Sequence, residues 1–127
     1  MLTAGLRAAF DVEVTARDTA AALGSGDVEV LGTPRVVALV EEATVCTVAG
    51  QLPDGHTTVG TEVSIRHRRS SAPGTTLTVT ARLIEVDGLR LTFDVAVHDD
   101  GFLVADGTVR RVIVDRASFP PATPRRG

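Results

Sequence analysis

The sequence feature that most constrains the fold is a run of strand signals that follows a single long helix signal. From His56 onward, apolar and polar residues alternate in four segments separated by short turns, which is typical of half-buried antiparallel strands. The turns fall at Pro73-Gly74, Asp87-Gly88 and Asp99-Asp100-Gly101, and these residue types favour tight hairpins. Another alternating segment covers residues 10–15. The pattern predicts an antiparallel sheet of five strands.

The helix signal begins at Thr33-Pro34, where a hydroxyl residue suited to the N-cap precedes a proline suited to the first helical position. The spacing predicts a helix over residues 33–48, ended by Gly50 and by Pro53 beyond it. Apolar residues cover more than half of its circumference, although its valines and threonines are poor helix formers. Tertiary burial must therefore hold this helix, and a long apolar helix against an antiparallel sheet predicts an α+β layer of the hot-dog type.

Alternation also predicts which strand residues share a face. In the strand that ends at His67, one face is expected to carry Val59, Thr61, Val63, Ile65 and His67. The opposite face then carries Glu62, Ser64, Arg66 and Arg68. The last strand, over residues 102–115, is expected to bulge near Asp106-Gly107.

Length and composition narrow the class of protein. A chain of 127 residues supports one domain, which we place at residues 1–119, followed by an extended, mobile tail at 120–127 that contains three prolines. The net charge of −3 argues against a nucleic-acid binder. No segment approaches the ~18 apolar residues of a membrane span, and residues 1–14 lack the apolar run of a signal peptide. We therefore expect a soluble, cytoplasmic protein without a membrane partner.

Metal and disulfide chemistry are not expected. A single cysteine, Cys46, cannot form an internal disulfide or a thiolate metal site. The three histidines, His56, His67 and His98, show no metal-ligand spacing.

Three polar residues stand out against this apolar pattern. Thr33 has the ordinary role of an N-cap, but a hydroxyl there also lies beside the free N–H groups and positive dipole of a helix N-terminus. Glu41 shares a helical stripe with Val37, Val45 and Val48, so we expect it to face the covered side of the helix, where a carboxylate must be paired or useful. The pattern favours Glu41 over Glu42 without deciding between them.

His67 is open to two interpretations. A lone histidine on an apolar strand face is commonly structural, whereas a carboxylate on the facing helix would make it an acid–base partner.

The order of these residues resembles a known family. Thr33, Glu41, Val59-Gly60-Thr61, His67 and Pro73-Gly74, with the closing run Arg110-Arg111-Val112-Ile113 and Phe119, resemble the hot-dog thioesterases close to fluoroacetyl-CoA thioesterase, and the similarity spans residues 8–119. The resemblance implies a sheet curled around a central helix, a homodimer with active sites at the subunit interface, and hydrolysis of an acyl-CoA to a carboxylate and free CoA. It implies no cofactor other than the CoA of the substrate.

The resemblance also assigns roles by position. Thr33, Glu41 and His67 match the residues that carry the chemistry, and Gly60 matches the glycine beside the reacting carbonyl. Glu41 would act as a nucleophile or as the base for water, and both routes stay open. Arg66, Arg68 and Arg69 are either a solvated charged face or a landing site for CoA phosphates, which guanidinium groups suit.

One segment departs from the family pattern. Residues 20–28, before the helix, are short and glycine-rich and lack aromatic residues. Selectivity for fluoroacetyl-CoA is therefore not implied, and a small or medium acyl group is expected instead. The alternative function is a non-catalytic hot-dog domain that binds acyl-CoA or a related small ligand, but retention of all three polar positions counts against it. No Gly-x-Ser-x-Gly motif supports a serine hydrolase.

Overall fold

The protein is an α+β structure with one long helix packed on one sheet. The structure, a computed structural model, describes residues 2–119, and the tail predicted at 120–127 lies outside the described residues. The elements are β1 (Arg7–Glu13), α1 (Ala20–Leu23), α2 (Thr33–Thr47), β2 (His56–His67), β3 (Thr76–Asp87), β4 (Arg90–Asp99) and β5 (Phe102–Asp115).

The five strands form a single antiparallel sheet in the order β1-β3-β4-β5-β2. Tight turns join β3 to β4 and β4 to β5, with Gly88 and Gly101 in the left-handed conformation that these turns require (φ 59° and 87°). The predicted five-stranded antiparallel sheet is confirmed. Because β1 and β2 each have one neighbour, they are the edges of the sheet.

Helix α2 is held by one apolar side packed against the sheet. Its buried residues meet the inward side chains of β3 and β4 in one core that includes Val36, Leu39, Val40, Ala43, Leu77, Leu83, Leu91, Phe93 and Val97. Two buried threonines bond back to the helix itself: Thr44 Oγ1 donates to the Glu41 carbonyl at 2.6 Å, and Thr47 Oγ1 donates to the Ala43 carbonyl at 2.8 Å. Buried hydroxyls therefore need no partner outside the helix, and the expectation that burial holds α2 is confirmed.

The side of α2 that carries Glu41 is not the covered side, contrary to the expectation from its apolar stripe. Val37 and Glu41 are only half-buried and Val45 is 47% exposed, although Val48 at the end of the same stripe is buried. Leu39, three positions before exposed Glu42, is only 2% exposed. The reason is that the sheet lies against one side of α2, so a helix with apolar residues around most of its circumference leaves part of that surface uncovered.

A bulge in β2 corrects the predicted strand faces. Gly60 pairs with Arg111 and Glu62 pairs with Arg110, which leaves Thr61 as an extra residue in the ladder. Val59 and Thr61 therefore lie on the opposite face from Val63, Ile65 and His67. Buried Thr58 occupies the helix side instead.

The bulge predicted near Asp106-Gly107 in β5 was misplaced. The register between β4 and β5 shifts where Val97 pairs with Ala105 and His98 pairs with Leu103. Gly107 itself lies in regular pairing, and a Cβ there would collide with the Ser64 carbonyl oxygen of β2. Glycine is required at this position by the close approach of two strands.

Within residues 2–119, no helix is long and apolar enough to cross a membrane.

Candidate active site

Thr33 and His67 form a direct side-chain pair at the start of α2. The Thr33 Oγ1 atom lies 2.9 Å from His67 Nδ1. The N-cap residue is Gly32, and no side chain caps this helix end. The prediction of Thr33 as the N-cap was therefore wrong, because its hydroxyl lies one position inside the helix and contacts the histidine.

The first turn of α2 leaves one backbone donor beside this pair. The N–H groups of Arg35 and Val36 both donate to the Gly32 carbonyl, at 3.1 and 3.2 Å. Pro34 has no N–H. Within residues 2–119, the Thr33 amide is thus the donor of this turn that has no hydrogen-bond acceptor, and it lies at the positive end of the helix dipole.

The backbone that follows His67 is held by β5, the neighbouring strand in the sheet. His67 is the last residue of β2, and the next two amides, those of Arg68 and Arg69, both donate to the Val104 carbonyl at 2.8 and 3.2 Å. Its Nε2 atom is buried and has no hydrogen-bond partner among the described residues. Such a group costs about 1–3 kcal/mol, which a purely structural histidine would have little reason to bear.

Glu41 and Gly60 form a second contact, two helical turns further along α2. A Cβ built on Gly60 would lie 2.5 Å from Glu41 Oε2 and 3.3 Å from Arg111 Nη1. The carboxylate can occupy this place only because β2 has no side chain there. The Glu41 side chain remains 37% exposed, so it is accessible to a substrate.

Arg111 anchors this carboxylate and is the site residue that sequence reasoning missed. Its Nη1 lies 3.4 Å from Glu41 Oε2, while its Nε donates to Thr58 Oγ1 at 2.8 Å and its Nη2 donates to the Thr58 carbonyl at 3.1 Å. The side chain is 8% exposed. Burial lowers the pKa of Arg111 and the charge of Glu41 acts in the opposite direction, and the guanidinium stays positively charged.

A sequence signal for Arg111 did exist. The alternation Val109-x-Arg111-x-Ile113 places the arginine between two buried apolar residues on the helix side of β5. A charged residue at such a position must have partners or a function. The resemblance included Arg111, but no role was given to it.

The predicted site residues thus form two groups within one chain. Thr33 contacts His67, and Glu41 contacts Gly60; Thr33 and Glu41 are eight positions, or about 12 Å of helix, apart. Among residues 2–119, no hydrogen bond joins Glu41 directly to His67. Both groups lie along the incompletely covered side of α2.

The three arginines near His67 lie in different surroundings. Arg68 Nε lies 2.7 Å from Asp106 Oδ1, and the hydrogen bond to Asp106, together with its charge, raises the pKa of Arg68. The guanidinium of Arg69 lies 4.4 Å from the ring centroid of Phe102. Arg66 is exposed and makes no ion pair within the described part of the chain.

Across residues 2–119, no cluster of three His, Cys, Asp or Glu residues has the geometry to hold a metal ion.

The profile of one protein family, described as fluoroacetyl-CoA-specific thioesterase (FlK), matches residues 14–117. The chain belongs to the FlK family. The fluoroacetyl-CoA thioesterase of Streptantibioticus cattleyicolor is 36% identical over 91 residues, which is 72% of this chain. The aligned part is 66% of that enzyme, slightly less than two thirds of its length.

Solved structures agree with the hot-dog fold, and those at 31% identity agree with the FlK assignment. A variant of the FlK thioesterase in complex with fluoroacetate and CoA superposes with a TM-score of 0.87 at 31% identity, covering 94% of this chain and 100% of the other. A hot-dog-like protein from Thermanaerovibrio acidaminovorans, 21% identical, superposes with a TM-score of 0.84 over 92% of this chain and 87% of its own. The predicted hot-dog fold and the family resemblance are confirmed.

Proposed function

We propose that this member of the FlK family is an acyl-CoA thioesterase that hydrolyses a small or medium acyl-CoA to a carboxylate and free CoA. The observation that carries the proposal is the Thr33–His67 hydrogen bond at the N-terminus of α2. At that point a hydroxyl, an imidazole and a free backbone N–H lie together, and such groups can stabilise an oxyanion and transfer a proton. The family membership supports the same reaction.

Each side chain then has a role in the reaction. The thioester carbonyl accepts a hydrogen bond from the Thr33 amide, whose position at the helix N-terminus stabilises the negative charge that develops on oxygen. The Thr33 hydroxyl orients the carbonyl, and His67 supports proton transfer to the departing CoA thiolate. Arg111 holds the Glu41 carboxylate in one place.

Glu41 lies about 12 Å along α2 from Thr33 of its own chain, so we infer that it acts on a carbonyl held by the Thr33–His67 pair of a second copy, in one of two ways. As a nucleophile, its carboxylate attacks the carbonyl carbon, the C–S bond breaks, and water then hydrolyses the mixed anhydride. As a base, it removes a proton from the water that attacks the carbonyl directly. A single turnover in ¹⁸O-labelled water distinguishes them when label enters the Glu41 side chain, because only the anhydride route allows it.

We further propose that the active enzyme is a homodimer with the sites at the interface. Among the strands of residues 2–119, β2 is a sheet edge that pairs with β5 alone, and an edge strand can pair with another chain. The uncovered side of α2, which carries Val37, Glu41 and 47% exposed Val45, is apolar around the carboxylate. A second copy placed there would exclude water from Glu41 and enclose the acyl group.

We also propose that the protein is cytoplasmic. Cys46 is an exposed, unpaired thiol, and a free thiol is typical of a reducing compartment.

Thiol release from a panel of short, branched and medium-chain acyl-CoAs tests the proposed reaction. We expect turnover of at least one substrate by the wild type and a loss of about a hundredfold or more in Glu41→Gln and His67→Ala. Glu42→Gln is the matched control, because Glu42 is exposed and adjacent to Glu41. Binding of CoA without thiol release would favour the non-catalytic alternative, and full activity in both variants would refute the proposed site.

A further inference from the structure

An exposed aromatic ring lies close to the candidate site and has no role in the proposed chemistry. Phe102 is the first residue of β5 and is 57% exposed. The guanidinium of Arg69 lies over its ring at 4.4 Å from the centroid. We propose that Phe102 and Arg69 form the subsite for the adenosine 3′-phosphate end of a CoA substrate, an inference that rests on the proposed thioesterase function.

The position of the pair fits the length of such a substrate. Arg69 follows His67 by two residues, so their Cα atoms lie no more than about 7 Å apart. The exposed Arg69 side chain and the Phe102 ring that it contacts lie further from the reacting centre than the Arg69 Cα atom does. The backbone is fixed at this point, because the Arg69 amide donates to the Val104 carbonyl at 3.2 Å. A pantetheine arm that starts at Thr33 and His67 can therefore leave its nucleotide end on this surface.

The chemistry of the pair matches a phosphorylated adenosine. Adenine can stack on an aromatic ring without base-specific hydrogen bonds, and a guanidinium binds phosphate oxygens through paired N–H donors. Arg69 is free for this role, because it forms no ion pair within residues 2–119. Arg68 is not, since Asp106 occupies it at 2.7 Å. The three arginines of the predicted phosphate site thus divide, and Phe102, which that prediction did not include, supplies the stacking surface.

Paired substrates separate this subsite from the catalytic centre. The acyl-CoA that the wild type hydrolyses is compared with the same acyl group on pantetheine, which lacks the nucleotide. We expect Phe102→Ala and Arg69→Gln each to raise KM for the acyl-CoA about tenfold without changing kcat, and to leave kcat/KM for the acyl-pantetheine unchanged. Phe102→Tyr should restore the wild-type KM. Phe119→Ala is the matched control, because Phe119 is equally exposed at 58%.

The outcomes that overturn the inference differ from those that overturn the proposed function. An equal effect on both substrates, or none on the acyl-CoA, refutes the subsite while thioesterase activity stands. A change of oligomeric state in Phe102→Ala, measured by light scattering, would make the ring an interface residue and also refute it. If the wild type hydrolyses neither substrate, the proposed function fails. Titration with adenosine 3′,5′-bisphosphate then still tests the subsite, because Phe102→Ala must weaken its binding about tenfold.

Discussion

Replacing Gly60 by alanine should remove activity and leave the fold intact. The added Cβ would lie 2.5 Å from Glu41 Oε2, whereas an ordinary contact needs at least 3.4 Å, so the carboxylate must move by about 0.9 Å. It must move away from Arg111 as well, because the same Cβ lies 3.3 Å from Nη1. A misplacement of about 1 Å at a reacting group costs on the order of a hundredfold in rate.

The fold should tolerate this substitution for a separate reason. Gly60 does not have the positive φ that L side chains avoid, and the nearest obstructing atom belongs to the partly exposed Glu41 side chain rather than to the backbone. We expect the midpoint of thermal unfolding to change by no more than about 2 °C, which corresponds to a fraction of a kcal/mol. Val59→Ala, one residue away on the opposite face, is the control.

The assay measures kcat by thiol release and unfolding by circular dichroism on the same preparations. A Gly60→Ala variant with wild-type kcat would refute the reasoning, because it would mean that the position of the Glu41 carboxylate does not matter. A variant that unfolds instead would also contradict it, since the predicted conflict involves two side-chain ends and no backbone atom.

Three further predictions concern the two groups of the candidate site and the residue of α1 that contacts the start of α2. Arg111→Lys should lower both stability, by about 1–3 kcal/mol, and kcat/KM, because one ammonium cannot satisfy the Thr58 oxygens and Glu41 together; denaturant unfolding and thiol release measure the two effects, and an unchanged stability would contradict the buried network. Thr33→Ala should leave the unfolding midpoint almost unchanged, because Gly32 is the N-cap, but lower kcat, which Thr33→Ser should retain; a loss of about 1 kcal/mol in stability alone would indicate a capping role instead. Leu23→Ala should raise the ratio of kcat/KM for butyryl-CoA over acetyl-CoA about tenfold, because a Leu23 methyl group lies against Gly32 at the start of α2; an unchanged ratio would place the acyl group elsewhere.

The architecture could be predicted because its signals are local. Turn residues such as Asp87-Gly88 and Asp99-Asp100-Gly101 set the hairpins, and strict alternation set the strands between them. The side of a strand after a bulge could not be predicted, because the extra residue at Thr61 leaves no mark in the alternation. The covered side of α2 was equally hidden, since valines lie around most of the helix and only the sheet decides which of them are buried.

The candidate site was predicted mainly from the family resemblance. Spacing alone placed His67 on the inner face and favoured Glu41, but it did not indicate that Thr33 contacts the histidine rather than caps the helix. The contact between Glu41 and Gly60 joins residues 19 positions apart, which no local pattern can reveal. Arg111 was overlooked because its buried position was not weighed against its charge.

Side chains alternate between the two faces of a strand, and the extra residue at Thr61 shifts that alternation by one residue. If Thr61 instead paired with Arg110 in a regular ladder, every side chain downstream in β2 would change sides: Ser64 and Arg66 would turn toward the helix, and His67 would turn to the outside. Deletion of Thr61 would leave Gly60 opposite Arg111 and Glu62 opposite Arg110, so the remaining ladder would keep His67 on the helix side. The chemistry of the molecule therefore depends on the bulge, which takes up one residue without turning the side chains that follow it.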